Sequence, residues 1–172
     1  MRWVRYPNAD FDARRSAYAR RDRYVLRDDV VPPVLWRARV GWTWKPLDAG
    51  RMHRAAQCLI GEHDFSSFRA ASCQAKHPWR RLREIAVERR GRCVVVDVEA
   101  NAFLHHMVRN IVGTLMQVGC GERSHDWVAA VLAARDRREA GATAVAQGLY
   151  FLGVCYPPTR QMPEPDVGPV FA

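Results

Sequence analysis

REIAVERRGRCVVVDVEANAFLHHMVRNIVGTLMQVG, residues 83–119, passes from a two-residue to a 3.6-residue hydrophobic period, and that change decides the fold class. Ile85 and Val87 take one face of a first strand, Gly91 sits in the turn, and Val94, Val96 and Val98 alternate along a second. The spacing predicts a strand pair. From Leu104 to Val118 the apolar residues Leu104, Met107, Val108, Ile111, Val112, Leu115 and Val118 recur on one broad helical face. His106, Asn110 and Gln117 are expected opposite, with Gly119 and Gly121 closing the helix.

Working outward, Tyr24 and Leu26 share one face of a further strand set among Arg20, Arg21, Arg23 and Arg27, and MRWVRYP at residues 1–7 reads as a short strand. The paired prolines of VVPPVLW (30–36) interrupt regular structure. Asp48 can cap a helix in which Met52, Ala55, Ala56, Leu59 and Ile60 recur, and Gly61 ends it. After residue 119, Ser124 is a candidate cap for a helix whose apolar face is Trp127, Val128, Val131 and Leu132. GLYFLGVCYP (148–157) supplies a last strand, and the proline-rich residues 158–172 form a tail expected to run over the surface. Strands and helices mixed around one sheet define the α+β class.

The 172 residues are about one domain long, and an apolar fraction of 48% is enough for a core. Twenty-seven basic residues against 18 acidic ones give a formal charge of +9, which favours an anionic partner, nucleic acid or membrane. Cys58, Cys73, Cys93, Cys120 and Cys155 are scattered, odd in number and without a Cys-x-x-Cys pair, so a reducing compartment is expected. No apolar run approaches the ~20 residues that span a bilayer, and the first residues lack a secretory apolar centre. The expectation is a cytoplasmic protein without a membrane segment.

Arg109 falls at the margin of the helix face, flanked by His105, Gly113 and Met116, so the surface beside its guanidinium is partly bare backbone. Two readings stand at this point: the side chain snorkels along the core edge, or it meets a carboxylate from another element and holds that acid ionised. His105 and His106, if helical, point about 100 degrees apart and cannot share an ion from that face. Cys58 reads as a small core residue. HDFSSF (63–68) places His, Asp and Ser side by side, whereas triads assemble from distant loops, so Phe65 and Phe68 are read as anchors of the helix end. Trp36, Trp42 and Trp44 are read as packing residues, with base stacking as the alternative.

FDARRSAYARRDRY (11–24), PLDAGRMHRAAQCLIGEHDFSSFRA (46–70), NAFLHHMVRNIVGTL (101–115), ARDRREAGATAVAQGLY (134–150) and MPEPDVGPVF (162–171) resemble, in this order, the bacterial tRNA pseudouridine synthase A family. The resemblance implies a pseudouridine synthase fold, an antiparallel-rich sheet flanked by helices, built from two related halves about a positively charged cleft. It implies a homodimer that converts uridines at positions 38 to 40 of the tRNA anticodon arm to pseudouridine, without cofactor or metal. The target nucleotide is drawn from the stack, an aspartate attacks, and the base detaches, turns and is rejoined through carbon. By the same resemblance Arg109 pairs with that aspartate, Arg14 is a cleft arginine, and Arg20, Arg21 and Arg23 form a basic strand near RNA phosphate.

Three departures accompany the resemblance. The family's nucleophile lies in a G-R-T-D-A-G motif, which this sequence lacks. Asp136 matches a different family segment and is read as structural. Met1 aligns well inside full-length members, so residues 1–30 are expected to be the remnant of a first half, 31–157 the second-half domain and 158–172 the tail. Asp22 stands where the family has a tyrosine that packs on the target uracil, and Arg15 where it usually has phenylalanine. A carboxylate has no stacking face, a loss of ~1 to 3 kcal/mol per base. Little isomerase activity is therefore expected from this chain, and the alternative reading is a noncatalytic RNA-binding or dimerising remnant.

Overall fold

The computed structural model describes residues 10–160 and 162. The strand expected at 1–7 and most of the tail lie outside the described residues. Within them the order is β1 (Ala19–Asp28), β2 (Gly41–Thr43), α1 (Ala49–Ala56), β3 (Gly61–Asp64), β4 (Trp79–Arg90), β5 (Cys93–Ala100), α2 (Met107–Gly119), α3 (Trp127–Ala134) and β6 (Leu149–Cys155). The six strands form one sheet in the order β2-β1-β5-β4-β3, with β6 also on β1. Every pairing is antiparallel except that of β1 with β2. This is the α+β architecture that the hydrophobic periods predict.

The quoted stretch folds as it reads. β4 and β5 meet across Gly91, whose φ of +56° suits a residue without Cβ, and they pair from Arg90 with Cys93 to Leu82 with Ala100. Val94, Val96 and Val98 point toward the helices together with Ile85, Val87, Tyr24 and Leu26, and against them pack Met52, Ala55 and Leu59 and the apolar side of α2. A smaller cluster on the opposite face joins Val25, Val40 and Cys93 with Trp36 and Tyr150. β1 is thus a central strand of the same sheet that holds the strands of residues 31–157.

Several local expectations change. α1 begins where Asp48 accepts from the Arg51 amide at 2.9 Å, but it gives way to a tighter turn at Gln57–Leu59, and Gly61 opens the unforeseen short strand β3. Cys58 is exposed rather than in the core. α2 starts at Met107, because His106 takes a left-handed φ of 60°. Ser124 does not cap α3 through its side chain; its carbonyl accepts from the Trp127 amide at 3.3 Å. Asn110, expected on the solvent side of α2, is fully buried because a later segment covers that side.

Candidate active-site arginine and its surroundings

The covering segment is Arg137–Val145, and the sequence makes room for it. At Gly113 an added Cβ would lie 1.8 Å from the Ala142 carbonyl oxygen, so only a bare backbone lets the small residues Ala140–Thr143 lie flat on α2. Polar groups then fasten the contact. Asn110 Nδ2 donates to the Phe68 carbonyl at 2.8 Å, its Oδ1 accepts from Thr143 Oγ1 at 2.7 Å and from Arg137 at 3.2 Å, and Thr114 Oγ1 accepts from the Gly141 amide at 3.0 Å. Leaving one such buried group unpaired costs about 1–3 kcal/mol, so the network fixes a single placement of the segment.

That placement fixes Arg109. The Ala144 amide donates to the Arg109 carbonyl at 3.1 Å, and Arg109 Nε donates back to the Ala144 carbonyl at 2.7 Å. The segment that approaches the bare flank of the helix is this chain's own. Neither terminal guanidinium nitrogen has a hydrogen-bond or ion-pair partner among the described residues. Tyr24, whose hydroxyl donates to the Val145 carbonyl at 2.7 Å, and His106 are close enough to feel the charge. Burial pushes the Tyr24 phenol up and the Arg109 charge pulls it back; for His106, desolvation, Arg109 and His105 all lower the imidazole. A guanidinium pinned at Nε with its fork open is prepared for a planar, two-oxygen anion.

His105 and His106 lie together ahead of α2. Their rings stack, with centroids 3.9 Å apart, in the turn before α2, so the helical-angle argument does not apply to them. Among the described residues no group of three or more His, Cys, Asp or Glu side chains converges. In HDFSSF, Ser67 Oγ donates to the Val131 carbonyl at 2.6 Å and Asp64 accepts from the Ser66 amide, while Phe65 and Phe68 are buried. Asp136 accepts from the Arg138 amide and guanidinium, which hold its carboxyl down at about 2. Of the tryptophans, Trp36 packs, Trp42 donates to the Asp29 carbonyl at 2.9 Å, and Trp44 is exposed.

The strand arginines divide. Arg23 is 4% exposed and binds both oxygens of Asp97 on β5 at 2.6 and 2.8 Å, so its guanidinium is spent inside the sheet. Arg21 is half-exposed and pairs with Glu99 at 2.6 Å. Arg20 donates to the carbonyls of Asn101 at 2.9 Å and Arg14 at 3.2 Å, and Arg14 is exposed; neither has a carboxylate partner among the described residues. Asp22 alternates with Tyr24 and Leu26 toward the helix side, opposite Val98 on β5 and Phe151 on β6 beside a bulge. Half-buried and without a hydrogen bond among the described residues, its carboxyl is pushed up to about 6 by desolvation.

A six-stranded sheet backed by helices, with an arginine anchored through Nε at a helix margin, defines an α+β domain. Residues 55–157 match the family model described as tRNA pseudouridine synthase. Over 171 residues, 99% of its length, the chain is 55% identical to the tRNA pseudouridine synthase A of Cronobacter sakazakii, 53% to that of Salmonella arizonae and 52% to that of Pectobacterium atrosepticum. The chain belongs to the tRNA pseudouridine synthase family. It spans 63%, 63% and 60% of the length of these three relatives.

Asn110 and the Ala140–Ala144 segment are the parts of the site that spacing did not reveal. The available signals were an amide in the middle of an otherwise apolar helix and a run of small residues, AGAT at 140–143.

Proposed function

We propose that this chain is the arginine-bearing portion of a tRNA pseudouridine synthase, acting on anticodon-arm uridines. The observation that carries the proposal is Arg109, anchored to the Ala144 carbonyl at 2.7 Å with its terminal nitrogens free among the described residues. In the reaction Arg109 holds a nucleophilic aspartate ionised and aimed, the aspartate coming from polypeptide beyond this sequence, while the target nucleotide is turned out of its stack. Asp22 occupies the place of the uracil-stacking ring, and Arg14 and Arg20 lie beside it along the RNA path. In this reading Arg21 and Arg23 hold the strand in register, residues 1–30 belong with the first half of the whole protein, and two copies assemble in the cytoplasm.

The test has two arms. With unmodified tRNA carrying tritiated uridine, the chain alone is expected to release little tritium, and the chain joined to the remaining portion of the Cronobacter sakazakii relative, with Asp22→Tyr, is expected to release it stoichiometrically. Absence of release from the joined protein contradicts the proposal. Asp22 favours the second reading for the chain by itself, a noncatalytic RNA-binding remnant, since a half-buried carboxylate gives a base nothing to stack on.

A further inference from the structure

The basic character of this sequence is unevenly spent. Along β1 and β4 five arginines are neutralised: Arg21 by Glu99, Arg23 by Asp97, Arg27 by Asp29, Arg89 by Asp28, and Arg90 by Glu88 and Asp97. An incoming phosphate would have to break these pairs.

Where β1 begins and β5 ends, beside the paired Arg21, the arginines Arg14, Arg20, Arg81 and Arg83 have no carboxylate within 4 Å among the described residues. Three observations place them at the same end of the sheet. Arg20 binds the Asn101 carbonyl at 2.9 Å, and Asn101 Oδ1 in turn accepts from the Arg81 amide at 3.0 Å. Arg83 is the extra residue of a bulge where the β4–β5 register slips between Leu82 and Glu84, the kind of irregularity that re-aims a side chain. Its guanidinium then lies 4.7 Å over the ring of Tyr18, which is 40% exposed. Glu62 stands opposite Arg81 in the β3–β4 register but makes no ion pair with it, and Asp12 is taken up by the amides of Arg14 and Arg15.

We infer that this end of the sheet, Arg14, Arg20, Arg81 and Arg83 around Tyr18, is the surface that grips the RNA backbone, in place of the paired arginines of mid-β1. The inference rests on the proposed action on tRNA and gives it an address. Guanidinium forks suit the planar oxygen pairs of phosphate, and an exposed ring capped by a cation gives an unpaired base a face to stack on.

The experiment is a salt titration of the 172-residue chain with a fluorescent, unmodified anticodon-arm RNA hairpin. Each lost phosphate contact lowers the slope of log affinity against log salt by about one, so Arg81→Ser with Arg83→Ser is expected to weaken binding about tenfold and lower the slope by about two. Arg51→Ser with Arg54→Ser, the same charge removed from α1, is the control and is expected to leave the slope unchanged. Tyr18→Leu is expected to weaken binding severalfold at constant slope. Thermal melts of all three check that the fold is kept. Equal losses in the two arginine pairs, or no loss in the first, overturn the surface while leaving RNA binding intact. A wild-type chain that does not bind the hairpin overturns the functional reading with it. Tighter, Arg83-dependent binding to phosphatidylglycerol vesicles than to RNA assigns the surface to lipid and also overturns it.

Discussion

Arg23 and Arg109 are both arginines in basic, apolar-flanked motifs, and the fold treats them in opposite ways. Arg23 is closed: Asp97 takes both sides of its fork, and little of it reaches solvent. Arg109 is open: a backbone carbonyl holds Nε, and neither terminal nitrogen has a partner among the described residues. The difference lies in what each neighbouring element brings. β5 places a carboxylate directly across from Arg23 in the register, whereas the segment folded over α2 brings only small residues and main-chain oxygens to Arg109. Whether the fold itself supplies an acid decides whether a guanidinium is closed or left open.

Four substitutions break or sharpen this contrast, from the largest expected effect to the smallest. Arg109→Ala in the chain joined to the rest of its Cronobacter sakazakii relative is expected to cut tritium release at least ~100-fold, in the range of losing a preorganised electrostatic partner. The melting temperature should barely move, because only the hydrogen bond to Ala144 is lost. Arg23→Leu is expected to do the reverse in the chain itself, costing about 2 kcal/mol in a urea titration because Asp97 loses its two-pronged partner and is left with Arg90 at 3.5 Å, with hairpin affinity unchanged.

Gly113→Ala attacks the cover rather than the cation. With the Ala142 carbonyl in the way of the new methyl, the Ala140–Ala144 segment has to lift, at about 1–3 kcal/mol. Hydrogen exchange should quicken at Gly141 and Ala144, whose amides bond to Thr114 and Arg109. Asp22→Asn gives the smallest effect and a defined pH dependence. Asp22 titrates near 6 in the fold and near the ordinary ~3.9 when unfolded, so between those values the native state binds the extra proton and stability falls as pH rises. The asparagine variant should match the parent below pH ~4 and exceed it by on the order of 1 kcal/mol above pH ~6.5, part of the penalty being screened by water.

The sequence made the sheet legible wherever alternate residues of a strand enter the large core beneath the helices. Tyr24 with Leu26, Ile85 with Val87, and the alternate valines of β5 all lie on the predicted side. It misled where a second layer arrives from far along the chain. Asn110 reads as a solvent-side residue on α2 by its angle, and only the return of residues 137–145 buries it and supplies its partners. β3 is four residues long and lacks a period to detect. Ile60 has helical spacing, but α1 ends before it and it is 40% exposed; Cys58 lies off the apolar face by its angle and is exposed as well. For the site, motif resemblance singled out Arg109, while the pairing that closes Arg23 depends on the β1–β5 register, which composition does not reveal.

The most direct test of the open guanidinium is a crystal structure of the chain joined to the remaining portion of its Cronobacter sakazakii relative. An aspartate oxygen is expected within about 3 Å of a terminal nitrogen of Arg109, with the Nε bond to Ala144 retained. A site in which no carboxyl oxygen contacts that guanidinium contradicts the account.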